Sequence, residues 1–179
     1  MTSQNKREEP LGRIVSPNYD PAGQASLFFR EASRAICVNK GKMLLMFTEK
    51  FDDFSFPGGG LQPNEDPAVG AERELREEAG AQNVRNIQLY GFFEEIRPWL
   101  RTQHDFVHMI SYYFFCDVDS TLNSPNLEEN EVALGMSPHW ISIDEAIAHN
   151  AQVVREKRQS PYLPREQFML KSVKNKLQL

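Results

Sequence analysis

Apolar and polar positions alternate along the chain in short runs on either side of one amphipathic stretch, and this patterning predicts most of its elements. Residues 28–38 favour a strand, Asn39-Lys40-Gly41 is a turn, and 43–47 (Met-Leu-Leu-Met-Phe) is a second apolar run, so the two runs predict a β-hairpin. Phe54-Ser55-Phe56 predicts a short strand. Residues 87–96 and 107–118 are long and aromatic enough for two more, the second of them central to its sheet. Residues 119–138 predict a long loop, and long loops are often functional. A short strand at 140–143, a short helix at 144–149 and a terminal helix at 165–177, with Phe168, Leu170 and Val173 at apolar positions, complete the pattern. Residues 1–24 are polar and carry Pro10, Pro17, Pro21 and Gly23, so they predict an irregular N-terminal arm ahead of one domain at 25–179. Packing on that domain, or on the second subunit of a homodimer, would order the arm.

The amphipathic stretch has well-marked ends. Asp66 can cap the first free N–H groups, Pro67 stands where the first helical residue needs no donor, and Gly80 can take the left-handed conformation that stops a helix, which predicts a helix from 67 to 79. Ala68, Ala71, Leu75 and Ala79 form its apolar stripe. Glu74, Glu77 and Glu78, at i, i+3 and i+4, share the adjoining face, which is expected to be solvent-directed. Three like charges this close must be relieved by protonation, solvent or a cation, and hard carboxylate oxygens suit Mg²⁺ or Mn²⁺. A Glu-rich helix by itself is more often a solvated face, with Arg73 and Arg76 pairing locally. Gly58, Gly59 and Gly60, just upstream, shift that balance, because they let backbone approach phosphate or metal closely.

Composition narrows the field. At 179 residues and 40% hydrophobic content the chain has material for one well-packed domain. A formal charge of -5 argues against general duplex binding, which depends on neutralising many phosphates. Cys37 and Cys116, each in an apolar stretch, read as buried thiols of a reducing compartment. With no apolar leader and no run of membrane-spanning length, the expected location is cytoplasmic.

The series Gly59-x5-Glu65-x7-Arg73-Glu74-Leu75-x-Glu77-Glu78-x-Gly80-Ala81 resembles the Nudix box position by position, with the Pro57-Gly58-Gly59 approach that often precedes it. Ala81 stands where a larger aliphatic residue is usual. The resemblance implies an α/β fold, a mixed sheet in an α/β/α sandwich, and metal-dependent hydrolysis of a nucleoside diphosphate linked to another moiety. It assigns Glu74, Glu77 and Glu78 to divalent metal (Mg²⁺ or Mn²⁺), with the Gly58 carbonyl a lesser ligand. Gly59, Glu65 and Arg73 then support the site, the last two by a salt bridge bracing loop to helix. The general base is Glu74 within the box or Glu131 in the later acidic loop, with Glu128 and Glu129 as rivals. An acidic catalytic face cannot by itself hold an anionic substrate, so Arg97, Trp99 and Arg101, which follow a strand, are candidates for phosphate pairing and base stacking. His104 and His108 bracket an Asp at even spacing, but the carboxylate face already accounts for metal use. A regulatory module that senses a nucleotide without turnover is the alternative, and loss of box carboxylates would favour it. None is lost. Neither the NADH-type Ser-Gln-Pro-Trp signature nor the coenzyme A pattern is present, which leaves the second moiety open.

Overall fold

A computed structural model describes residues 9–99, 103–156 and 160–179. Strand β1 (Gly12–Val15) runs parallel to β6 (Arg85–Pro98), β6 pairs antiparallel with β7 (Phe106–Asp117), and β7 runs parallel to β2 (Leu27–Ile36), giving a mixed sheet in the order β1-β6-β7-β2. In the second sheet β8 (Met136–Ser142) pairs along the whole of β4 (Lys42–Thr48), while β3 (Val38–Asn39) and β5 (Asp53–Ser55) pair with the two ends of β4. All of these pairings are antiparallel.

Strand alternation sends neighbouring side chains to opposite faces, and each face meets a different helix. Ala35, Leu44, Met46 and Phe114 join Ala71, Leu75 and Ala79 of α1 (Pro67–Ala79) in one core. Ile36, Met43, Leu45 and Tyr113 join α3 (Ile143–Glu156) and α4 (Leu163–Leu177), through Ala146, Met169, Leu170 and Val173, in the other. Helices therefore cover both faces, which is the α/β/α arrangement expected from the sequence. No helix among the described residues is long and apolar enough to cross a membrane.

Several predicted elements change where tertiary pairing overrides local pattern. The strand expected at 28–38 is divided. Its first nine residues pair with β7 up to Ile36 opposite Phe115, after which Cys37 carries the chain into the second sheet, so the hairpin consists of β3 and β4 alone. Part of the arm is a strand, because the open edge of β6 offers it a backbone ladder. Leu11 N–H donates to Phe92 O at 2.7 Å, Ser16 N–H donates to Ile96 O at 2.8 Å, and Pro17 follows. Its own domain orders this stretch. Within the expected loop at 119–138 lies a short helix, α2 (Glu129–Leu134), closed by a capping box between Glu128 and Glu131.

Asn150 of α3 holds the short β5 in place. Its Oδ1 accepts from Phe54 N–H at 2.9 Å and its Nδ2 donates to Phe54 O at 2.8 Å, both within the core. Replacing Asn150 with Ala strands a buried donor and a buried acceptor, so Asn150→Ala is expected to lower unfolding free energy by about 2–4 kcal/mol. Chemical denaturation measures this, and a loss under about 1 kcal/mol would show that water or a shifted backbone replaces the amide.

Candidate active site

The helix α1 starts and stops where the sequence sets it. Asp66 Oδ1 accepts from Ala68 N–H at 2.8 Å, Pro67 opens the first turn, and Gly80 ends the helix at φ 62°. The glycine loop ahead of it runs beside β2. Ala35 N–H donates to Pro57 O at 2.9 Å, Ser33 N–H to Gly59 O at 3.0 Å, and Leu61 N–H to Glu31 O at 3.0 Å. This lays the loop directly on the acidic face of α1. Gly58, at φ 142°, donates its N–H to Glu78 Oε2 at 2.6 Å, and a Cβ at Gly59 would lie 2.5 Å from Glu74 Oε1. A Cβ at Gly58 would lie 2.1 Å from the Ser33 carbonyl oxygen, so only glycine fits there, and one at Gly59 would push the Glu74 carboxyl aside.

The acidic face is consequently not solvent-directed as expected. Glu74 and Glu78 are 7% and 4% exposed, and Glu77 is the more open of the three. Burial pushes the Glu78 carboxyl up to about 8, against the pull of Arg34 and the Gly58 amide, and burial likewise raises Glu74. Arg73 stands between loop and helix. It grips both oxygens of Glu65, Nε to Oε1 at 2.8 Å and Nη2 to Oε2 at 2.9 Å, and its Nη1 reaches Glu74 at 2.8 Å and Glu77 at 3.0 Å. Glu65 also accepts from Gln62 N–H at 2.9 Å, so this pair ties the loop down.

The segment after β7 brings Glu131 to the same place. Asn123 N–H donates to Gly80 O at 2.8 Å and Asn126 N–H to Glu77 O at 2.7 Å, satisfying carbonyls that a helix end leaves free. Trp140 Nε1 fixes the start of this segment through Ser120 O at 3.2 Å. Draped over the end of α1, it sets α2 opposite the acidic face, and Glu74, Glu77, Glu78, Glu128 and Glu131 line a cleft of about 260 Å³. Glu131 Oε2 accepts from Glu128 N–H at 2.8 Å, and its charge contributes to the high Glu78 value. Glu129 is outside the lining. This donor set fits a hard divalent cation, since it consists of carboxylate oxygens, and the burial that raises Glu74 and Glu78 leaves negative charge there that a cation would offset. Among the described residues the carboxylates form no preassembled metal cluster, because Arg73 engages Glu74 and Glu77. The Gly58 carbonyl accepts from Arg34. Patterning missed Arg34, whose signal was a charged residue at an otherwise apolar strand position.

A groove of about 790 Å³ continues from the glycine loop, lined among others by Leu61, Asn64, Phe28, Trp99 and His104. Phe28 stacks on His104 at 5.5 Å and meets Trp99 at 5.3 Å, so one wall is aromatic. Trp99 thus lies in the groove. Arg97 does not line it and is held by Glu95 Oε1 at 2.6 Å, largely buried. Arg101 lies outside the described residues. His108 pairs with Glu94 at 2.8 Å and Asp105 with Ser26 at 2.8 Å, so the even-spaced trio does not converge.

The Arg73 guanidinium holds the Glu65 carboxyl down at about 2, below its ordinary 4.5. A depressed carboxylate contributes stability that is present above the unfolded value and lost as pH falls toward the folded one. The stability difference between the native chain and Glu65→Gln should therefore be full near pH 6 and shrink between about pH 5 and pH 2, as read by denaturation at a series of pH values. A difference independent of pH would mean that the pair adds nothing electrostatic.

Comparison with known proteins agrees with this geometry. The NUDIX domain family model matches residues 29–163. Over 133 residues, 72% of this chain and 71% of the relative, the sequence is 30% identical to diphosphoinositol polyphosphate phosphohydrolase 3-alpha of Mus musculus. The Homo sapiens protein of that name is 29% identical over 134 residues, with the same shares covered. Among solved structures, a NUDIX hydrolase from Nitrosomonas europaea superposes with TM-score 0.53 at 20% identity, covering 74% of this chain and 92% of that one, a likeness of fold. With its box carboxylates gathered on α1 under a glycine loop and three quarters of its length within the family's domain, the chain belongs to the Nudix hydrolases.

Proposed function

We propose that the chain is a divalent-metal-dependent hydrolase of the pyrophosphate linkage in a nucleoside diphosphate joined to a second moiety. The observation that carries this reading is the cleft, where Glu74, Glu77, Glu78 and Glu131 face one another beside a loop of close-packed backbone. Glu74, Glu77 and Glu78 would hold Mg²⁺ or Mn²⁺, which when bound neutralises phosphoryl oxygens and lowers the pKa of water. With Arg34 on the Gly58 carbonyl, the three carboxylates are the primary ligands. Glu131 faces them from α2, suitably placed to take a proton from water, and Glu74 is the candidate within the box. Glu65 and Arg73 hold the loop while this happens. The buried free thiols Cys37 and Cys116 support a reducing, cytoplasmic setting.

The groove favours a nucleotide. The relatives' names point to diphosphoinositol polyphosphates, whose crowded phosphates call for many cations. Among the described residues lining the groove, Arg30 is the one Lys or Arg, beside Glu31 and the aromatic wall of Phe28, Trp99 and His104. A flat base suits such a wall. A panel holding ADP-ribose-like compounds, nucleotide sugars, nucleoside triphosphates and an inositol pyrophosphate decides between the two, with product analysis. Absence of turnover on all of them, with tight nucleotide binding, would favour a sensing module instead.

Chelation of divalent ions is expected to abolish hydrolysis, and added Mg²⁺ or Mn²⁺ to restore it. Full turnover by verified metal-free protein would sink the proposal. Glu78→Gln keeps an acceptor for the Gly58 amide but removes the charge, and should cost roughly two to four orders of magnitude in kcat. Glu131→Gln should lower kcat strongly while metal affinity, followed by Mn²⁺ titration, stays nearly intact. A near-normal kcat would return the proton-accepting role to Glu74 or Glu128. Trp99→Ala should raise KM about tenfold with a smaller change in kcat, the order expected for one lost stacking contact. An unchanged KM for every hydrolysed compound would remove Trp99 from recognition.

A further inference from the structure

Four charged side chains lie away from water between α4 and the mixed sheet, and none lines the cleft. Arg165 and Glu166 are adjacent on α4, 3% and 0% exposed, and Glu95 of β6 is 2% exposed. Arg165 bonds Glu95 Oε2 at 2.6 Å through Nη1 and Glu166 Oε1 at 2.7 Å through Nη2, while Arg97 takes the other oxygen of Glu95 at 2.6 Å. Two positive and two negative groups balance, yet burying them carries a desolvation cost that apolar residues of similar size would avoid. Their geometry gives that cost a use. The remaining oxygen of Glu166 accepts from Phe56 N–H at 3.0 Å, across 110 positions of sequence. Phe56, 1% exposed and edge-on to Tyr113 at 5.5 Å, is the root of the glycine loop.

Only Pro57, with its fixed φ, separates Phe56 from Gly58. On the sheet side, the Pro57 carbonyl is held by Ala35 N–H at 2.9 Å. Position and direction at Phe56 therefore pass to the Gly58 amide, whose 2.6 Å bond to Glu78 Oε2 orients that carboxylate. We propose that Glu166, clamped by Arg165, is a positioning residue for the active site: it fixes the Phe56 amide, and through it the Gly58 N–H that aims Glu78. The inference rests on the function proposed above for Glu78. It adds α4, an element distant in sequence from the box, to the machinery.

Glu166→Gln places a donor where one of two acceptors was needed, so either Arg165 or the Phe56 amide loses its partner. Asn150→Ala is the matched control, since it unpins Phe54 of the same segment without touching Phe56 or Gly58. Two readouts separate positioning from general loosening. In amide NMR of metal-free protein, the Gly58 N–H, shifted downfield by its short bond to the Glu78 carboxyl oxygen, should move upfield in Glu166→Gln and stay in place in Asn150→Ala. In kinetics at matched folded fraction, Glu166→Gln should lower kcat about ten- to a hundredfold with KM nearly constant, as expected for a slight misplacement of reacting groups. Asn150→Ala should keep native kcat. A Gly58 signal unchanged in Glu166→Gln, or moved equally in both variants, overturns the proposal. If Glu166→Gln does not fold, Arg165→Lys, which loosens the clamp while keeping the charge, is read the same way. Amide exchange in the native chain is the last check: Phe56 N–H should be protected as well as the amides of β7, and rapid exchange would overturn the clamp. The amide readouts need no turnover, so failure of the hydrolase assignment and failure of the positioning role give different results.

Discussion

A glycine loop lying against the carboxylates of α1 allows no side chain at the contact and little freedom in the backbone. Gly58 donates to Glu78 at 2.6 Å, and the space beside Gly59 is filled by Glu74. Contact this close requires that loop and helix be fixed independently, because an error in either opens or crushes it. The surrounding structure supplies both. The loop is bonded along the edge of β2, and α1 is seated by Ala71, Leu75 and Ala79 in a core shared with both sheets. Glu65 and Arg73 join the two directly.

The same contact accounts for the electrostatics. Pressing backbone onto the acidic face removes water from Glu74 and Glu78, and without water their charges are disfavoured, which is why both carboxyls rise. Arg34 on the loop carbonyl and Arg73 between the glutamates offset part of that cost. A cluster in this condition takes up positive charge readily, whether as protons or as a divalent ion. Structural support and chemical reactivity are thus two results of one packing decision.

Different parts of the chain hold the sandwich and line its groove. The apolar cores hold the sandwich, Asn150 secures β5, and the buried Arg165 and Glu166 of α4 hold the root of the loop. The groove beyond the glycine loop takes its aromatic wall from β2, from the end of β6 and from the approach to β7. No contiguous motif records such a groove. Its residues meet only because β2 and β6 both flank β7.

The sequence by itself determined the features that depend on local chemistry: a helix bounded by Asp66, Pro67 and Gly80, carboxylates at one-turn spacing, glycines ahead of them, and apolar runs of strand length on either side. Caps, periodicity and turn conformations act over a few residues, so a few residues suffice to specify them. Tertiary structure decided the rest. Local pattern favoured one strand over 28–38, whereas the ladder with β7 ends at Ile36 and the chain changes sheets. The arm looked irregular because parallel pairing with β6 is made by backbone, which carries no side-chain signature. The acidic face looked solvated because its spacing says nothing about what covers it, and no local pattern marks Glu166, whose backbone partner lies 110 positions away. Burial and long-range hydrogen bonding depend on which surfaces meet, and that is fixed only when the whole chain closes its cores.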